Sequence, residues 1–228
     1  ITNIPCLLDL RLYIGLSFVM APILSYLLGK DHLLNRKSFL NEKQTRDILD
    51  IANRTWNFFD TMMNERNNYI PTDNYQENRR YKIANRTSPT NIGFGFLAII
   101  NAYDLKFISE EECIEKISKT METVQKLEKW NGHLYNWYNV KTLEILRPRF
   151  ISTVDSGNFI ACLYVLKQFL IEVKEKHIYT RDDSHIHKDK IDSIITSIDS
   201  IIEETDFSTL YDTSRNLFSI GYAQENGK

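Results

Sequence analysis

The polar and ionisable residues of this chain gather in three short segments whose side-chain types suit one kind of chemistry. The first runs Pro71-Thr72-Asp73-Asn74-Tyr75-Gln76-Glu77 and resumes at Asn85-Arg86-Thr87-Ser88-Pro89-Thr90-Asn91, just ahead of an apolar run. It combines carboxylates (Asp73, Glu77), amides (Asn74, Asn91), a guanidinium (Arg86) and hydroxyls (Thr87, Ser88). Carbohydrates demand that mixture, because every sugar hydroxyl both donates and accepts, and forked side chains match neighbouring hydroxyls. Capping of the helix that follows accounts for one of Ser88, Thr90 and Asn91 and leaves the rest to bind. The second segment, Ser152-Thr153-Val154-Asp155-Ser156-Gly157-Asn158, also precedes an apolar run. Asp155 there reads as an N-cap whose oxygens accept from first-turn amides, which suits a base or substrate anchor better than a general acid. It is the candidate catalytic residue, with Ser156 and Asn158 as binding candidates beside it. The third segment is His133-Leu134-Tyr135-Asn136-Trp137-Tyr138. Trp137 and Tyr138 offer flat rings next to His133 and Asn136, as stacking a pyranose requires. Packing of a small hairpin is the competing reading of the same residues.

Other chemistries are poorly represented. There is no glycine loop for phosphates and no GxSxG elbow. His185 and His187 have a metal-ligand look but no third ligand nearby, so a solvated loop at 175–190 is the better reading and no cofactor is expected. Cys6, Cys113 and Cys162 form no closed disulfide set and no CxxC pair, as expected of buried thiols in a reducing compartment. With 28 Lys and Arg against 30 Asp and Glu, the net charge of −2 gives no positive field for a nucleic-acid backbone. The recurring Ile51-Ala52-Asn53-Arg54-Thr55 and Ile83-Ala84-Asn85-Arg86-Thr87 fall in different structural contexts and do not mark a repeat.

The elements that must position these segments are helices. Only 8 Gly and 5 Pro among 228 residues leave few turns for a many-stranded fold. Asn41 with Gln44 has capping-box spacing, and Ile48, Ala52, Trp56, Phe59 and Met63 then mark a one-sided helix over 42–65. Ile92 to Tyr103 is apolar all round, hence buried. Ser109 caps an acidic first turn, and Ile114, Ile117, Met121, Val124 and Leu127 give a second one-sided helix over 110–128. Phe159 to Leu170 is again apolar all round, and Ile191, Ile194, Ile195, Ile198, Ile201 and Ile202 mark a third one-sided helix over 190–204. One-sided and buried helices alternate, as in a toroid of parallel inner helices wrapped by antiparallel outer ones. An up-down bundle would make all of them amphipathic alike. The starts of both buried helices then converge on one mouth. Residues 133–147 read as a β-hairpin turning at Asn139–Lys141.

Residues 12–29 form an 18-residue stretch without charge, interrupted by Pro22. It reads equally as a membrane-spanning or interfacial helix and as an apolar helix packed on the domain. The domain organisation expected is residues 1–40 as this helix and a linker, and 41–228 as the helical domain.

Thr87-Ser88-Pro89-Thr90-Asn91-Ile92-Gly93, Gly132-His133 with Asn136-Trp137-Tyr138, and Ser152 to Asn158 together resemble the central region of bacterial cyclic β-1,2-glucan synthases. Arg54-Thr55-Trp56-Asn57-Phe58-Phe59, Leu210-Tyr211-Asp212 and Leu217-Phe218-Ser219-Ile220-Gly221-Tyr222 match in the same order. The resemblance implies an all-α, incomplete (α/α)6 toroid from a larger inner-membrane protein, with residues 41–228 on the cytoplasmic side. It implies a retaining transglycosylase that closes linear β-1,2-glucan into a ring; an endo-β-1,2-glucanase or a non-catalytic glycan-binding module are the alternatives. The implied partners are β-1,2-linked glucan, the remaining regions of the same polypeptide and a membrane. Three departures stand out. Phe94-Gly95-Phe96 replaces an aliphatic and aromatic run, the 175–190 segment is unusually polar, and the carboxylate pair that retention needs is expected partly or wholly beyond residue 228.

Overall fold

The computed structural model describes residues 4–29, 40–180 and 185–224. The chain divides into two compact units, residues 1–48 and 49–228. The first holds helix α1 (Ile4–Leu28), which runs through Pro22, and the start of α2 (Glu42–Met62). The capping box closes as the spacing predicts: Asn41 Oδ1 accepts from the Gln44 amide at 2.9 Å, and Gln44 Oε1 accepts from the Asn41 amide at 3.0 Å. The apolar part of α1 is Leu12–Leu28, at the lower end of the length that spans a bilayer.

In the second unit the remaining helices are α3 (Pro89–Asp104), α4 (Glu110–Lys126), α5 (Thr153–Thr180) and α6 (His185–Glu204). Their directions follow from their contacts. Thr90 meets Asp155 at one end, and Tyr103 meets Phe169 and Lys176 at the other, so α3 and α5 run parallel. Lys174 pairs with Asp192 and Lys167 with Asp199, so α6 runs against α5. Glu115 meets Lys190 and Gln125 meets Ser197, so α4 and α6 run together. Met63, just past the end of α2, lies beside Gly95 near the start of α3. Two parallel inner helices thus pack against outer helices of opposite direction, α4 and α6, the alternation that periodicity predicts. The inner helices bury Ile92, Phe96, Leu163, Leu166 and Leu170 completely, and the outer ones bury a single stripe including Ile114, Ile117, Ile191 and Ile198.

Several boundaries differ from expectation. α5 starts at Thr153 because the Ser152 hydroxyl caps it, so the polar segment 153–158 is its first turns and not a loop before it. Helix covers 175–180 and 185–190 of the segment read as a solvated loop, and residues 181–184 lie outside the described residues. The α2 stripe is covered only from its middle onward: Ile48 is 50% exposed, whereas Trp56 is 7% exposed. The expected hairpin is narrower than 133–147: Tyr138 bridges Ile145, flanked by the Leu146 amide on the Trp137 carbonyl and the Asn139 amide on the Glu144 carbonyl, both at 2.8 Å.

The strands instead reveal a repeat. Strand β1 (Arg86–Thr87) leads into α3, α4 follows, then a tight hairpin of β2 (Lys129–Trp130) and β3 (His133–Leu134), and then β4 (Tyr138–Asn139), which pairs back on β1. Strand β5 (Phe150–Ser152) leads into α5, α6 follows, then a hairpin of β6 (Tyr211–Asp212) and β7 (Leu217–Phe218), and then β8 (Gly221–Ala223), which pairs back on β5. The registers match, Thr87 opposite Tyr138 and Ile151 opposite Tyr222. So do the caps: Ser88 accepts from the Asn91 amide and Ser152 from the Asp155 amide. Each inner–outer helix pair is therefore clasped at the mouth end by its own first and last strands.

Candidate functional site

The helix starts and the segments that precede them build one connected polar surface. The Asp73 amide donates to the Arg86 carbonyl at 2.7 Å, which seats the 68–76 loop on β1. Arg86 then returns two bonds, Nε and Nη2 to Asp73 Oδ2 at 3.1 and 3.0 Å. Asn74 Nδ2 donates to the same oxygen at 2.9 Å, and Asn91 Nδ2 to Oδ1 at 3.3 Å. The Arg86 guanidinium lies 4.1 Å over the Trp137 ring, a cation–π contact that ties the first segment to the third. With its amide oriented to suit its neighbours, Asn136 accepts from Trp137 Nε1 at 2.9 Å and donates to Asp155 Oδ2 at 3.2 Å. Thr90 donates to Asp155 Oδ1 at 2.6 Å, and its own oxygen accepts from Asn158 Nδ2 at 3.2 Å. The Asn158 bond fixes the direction of the Thr90 hydroxyl, since an oxygen already accepting an N–H turns its proton toward the carboxylate.

Of the residues singled out in the sequence, Asp73, Asn74, Arg86, Asn91, Asn136, Trp137, Asp155 and Asn158 thus come together. Asp155 is not the N-cap; Ser152 has that place, which frees the carboxylate to face Thr90 and Asn136. Ser88 caps α3, and Thr87 and Ser156 lie buried beside the cluster with hydroxyls that find no partner. Glu77 is exposed and makes no hydrogen bond to the cluster. His133 and Tyr138 stand apart from it, in the core. Tyr138 is fully buried, donating to the Glu128 carbonyl at 2.6 Å and accepting from the Tyr135 amide at 2.7 Å, and burial raises its pKa. His133 is 1% exposed and bonds through Nε2 to the Asp206 carbonyl at 3.0 Å. Burial lowers its pKa, and that carbonyl opposes the shift only in part. Both rings hold the clasps together, His133 edge-on against Phe207 and Tyr138 on β4. Thr90 escaped the sequence reading as a site residue, because its capping alternative explained it. Its signal is the position one before Asn91, opposite Asp155.

Among the described residues no group of three His, Cys, Asp or Glu side chains is placed to hold a metal. A groove of about 450 Å³ lies elsewhere, between α2 and α3, lined by Trp56, Phe59, Phe94, Leu97 and Phe107. Its walls carry no ionisable side chain, so it is an uncovered flank of the helical layer and offers no chemistry.

The cyclic β-(1,2)-glucan synthase NdvB of Rhizobium meliloti is 33% identical over 167 residues, which is 72% of this chain. Over that segment the chain belongs to the cyclic β-1,2-glucan synthase family. It spans only 6% of the length of that relative. No family model matches the chain. Among solved structures, a protein assigned as a glucoamylase from Bacteroides fragilis superposes with a TM-score of 0.60 at 18% identity, covering 81% of this chain and 41% of that one. An endo-β-1,2-glucanase from Chitinophaga pinensis, solved with sophorotriose and glucose, superposes with a TM-score of 0.57 at 18% identity, covering 72% of this chain and 38% of its own. These likenesses establish the fold: an (α/α)6 toroid, of which this synthase-family chain carries a part.

Proposed function

We propose that this chain forms part of the glucan-binding mouth of a cyclic β-1,2-glucan synthase, in the region that closes linear β-1,2-glucan into a ring by retaining transglycosylation. The observation that carries the reading is the continuous path of polar contacts from Asp73 through its hydrogen bonds to Arg86, the cation–π contact of Arg86 on Trp137, and the hydrogen bonds of Asn136 to Trp137 and Asp155, laid across the starts of two inner helices. Such a path presents acceptors, donors and a flat ring on one surface, the groups that orient a polyhydroxylated ligand. Asp155, whose two oxygens accept from Thr90 and Asn136, keeps lone pairs with which to accept a sugar hydroxyl. Retention needs two carboxyl groups about 5–5.5 Å apart, and Asp73 is already engaged by Arg86, so Asp155 needs a partner carboxylate from outside the cluster. Attachment to the cytoplasmic face of a bacterial inner membrane through residues 12–29 belongs to the same reading, supported by the apolar Leu12–Leu28 part of α1.

Incubation of the chain with linear β-1,2-glucan tests the proposal, with binding followed by calorimetry and products by mass. Binding without cyclic product is expected. Shorter linear products would replace the transglycosylase with the endo-glucanase reading, and absence of binding would overturn both.

A further inference from the structure

The two side chains that meet the Asp155 carboxylate are both ambivalent. A threonine hydroxyl can donate or accept, and an asparagine amide offers NH2 on one side and a carbonyl oxygen on the other. Asp155 nevertheless receives a hydrogen bond from each, from Thr90 at 2.6 Å and from Asn136 at 3.2 Å. A third group must settle which way each one points. For Thr90 that group is local: Asn158, one turn along the helix that carries Asp155, donates to its oxygen at 3.2 Å. For Asn136 it is Trp137, whose Nε1 lies 2.9 Å from the amide oxygen. An indole N–H can only donate. The amide oxygen must therefore face Trp137, which leaves the amide nitrogen to face Asp155. Turned over, the amide would set nitrogen against the indole N–H and oxygen against the carboxylate, two repulsive contacts in place of two bonds.

Trp137 is held in turn from its other side. The Arg86 guanidinium lies 4.1 Å over its ring, and Arg86 is fixed by two bonds to Asp73. Asp73 also accepts from Asn74 and Asn91. Four hydrogen bonds use up the acceptor capacity of that carboxylate, whereas Asp155 accepts only two. The two carboxylates therefore have different tasks. Asp73 closes a support, and Asp155 keeps lone pairs free.

We infer that Trp137 is a positioning residue: through its N–H it orients the Asn136 amide, and through that amide it holds the Asp155 carboxylate with its free lone pairs toward the ligand. The inference rests on the glucan reading above for what the ligand is, and adds which groups set the geometry of Asp155. The role differs from sugar stacking, which the residue type alone suggests. Stacking needs only the face of the ring, whereas orienting Asn136 needs the N–H at its edge.

The difference is tested on the full chain with Trp137→Phe, which keeps a ring beneath Arg86 and removes the N–H. The informative background is Asn136→Ala, where the amide to be oriented is gone. Sophorose affinity is measured by calorimetry for the parent, both single variants and the double variant, with thermal melting alongside. Trp137→Phe is expected to weaken sophorose about three- to tenfold in the parent, and by less than about twofold in Asn136→Ala. Equal weakening in both backgrounds would show that Trp137 meets the ligand directly and would overturn the inference, as would no weakening in the parent. Nitrogen-15 NMR of the Asn136 side-chain amide, assigned by its loss in Asn136→Ala, gives a readout that needs no ligand. The proton bonded to Asp155 is expected downfield of an ordinary asparagine amide proton, and to return toward it in Trp137→Phe; an unmoved signal overturns the inference. If Trp137→Phe melts lower than the parent, replacement of Trp137 by benzothienylalanine, which puts sulfur in place of the N–H within the same ring shape, carries both measurements. A parent chain that binds no sophorose overturns the glucan reading, and the amide signal then decides the positioning role by itself.

Discussion

Gly93 lies where the two inner helices come closest, and replacing it tests whether their spacing supports the mouth. A β-carbon there would stand 2.9 Å from Sγ and 3.0 Å from Cβ of Cys162, with Cα of Phe159 at 3.6 Å behind them. Neither Cys162 atom is the far end of a flexible chain, so Gly93→Ala must drive α3 and α5 apart. Better helix propensity returns about 1 kcal/mol, while overpacking a dense core costs about 1–3 kcal/mol. With a thiol and a β-carbon both inside contact distance, the upper part of that range applies, and a net loss of about 1–2 kcal/mol is expected. That corresponds to a fall in Tm of about 2–8 °C for a chain of this size. Removing the sulfur with Cys162→Ala in the same chain relieves the shorter contact, so a favourable coupling of about 0.5–1.5 kcal/mol is expected from the double-mutant cycle. Urea denaturation of the four proteins measures it. Gly95→Ala is the milder comparison, since its new β-carbon meets the mobile end of Met63 at 3.1 Å and the Pro71 ring at 3.2 Å, with no contact under 3.0 Å, and it should cost less than Gly93→Ala. Stabilisation by Gly93→Ala, or additivity with Cys162→Ala, would refute the claim that close helix approach at Gly93 sets the spacing. Because Thr90 and Asp155 bridge the same two helices at 2.6 Å, Gly93→Ala should also weaken glucan binding.

Three further outcomes follow from buried groups. Tyr138→Phe strands the Glu128 carbonyl and the Tyr135 amide and should cost about 2–4 kcal/mol by chemical denaturation, with glucan affinity unchanged in the folded fraction. The Cys113 thiol is pushed up to about 12 by burial and by Glu110, Asp104 and Glu112. Iodoacetamide at pH 8 should leave it unmodified until the chain unfolds, and stability should decline as pH rises from about 9 toward that value, because the unfolded thiol ionises first. His133, with its pKa lowered by burial, contributes stability above its unfolded value, and that stability is lost as pH falls below about 6.5. His133→Gln should flatten that part of the pH–stability curve, and an unchanged curve would exclude His133 as its source.

The part of the fold legible in the sequence is the part that periodicity encodes. Apolar runs without a charged face, Ile92 to Tyr103 and Phe159 to Leu170, belong to the parallel inner helices, and the one-sided Ile and Met stripes belong to the outer ones. That distinction alone requires residues 87–91 and 152–156 to share an end, and the Thr90–Asp155 bond meets the requirement. Burial of His133 and Tyr138 was not legible, because a polar tip on a ring reads the same whether it binds a ligand or satisfies the backbone of a clasp. Only the partner distinguishes the two, and the partners Asp206 and Glu128 lie on other elements.

The repeat was hidden for a different reason, and that reason bears on how the mouth is built. Its markers are present in the sequence: Ser88 and Asn91 recur in spacing as Ser152 and Asp155, and the residues closing at Tyr138 recur as those closing at Tyr222. No fixed period joins them, because α3 has 16 residues and α5 has 28, while α4 has 17 and α6 has 20. Length added to a helix pair extends it away from the mouth and leaves the paired strands, the capping serine and the third helical residue where they were. The far ends are therefore free to differ between the two copies, whereas a residue inserted between Ser152 and Asp155 would rotate the carboxylate about 100° around the helix and away from Asn136. Equal spacing at the mouth and unequal length at the far end is what a shared ligand-facing wall requires, and the two copies in this chain have both.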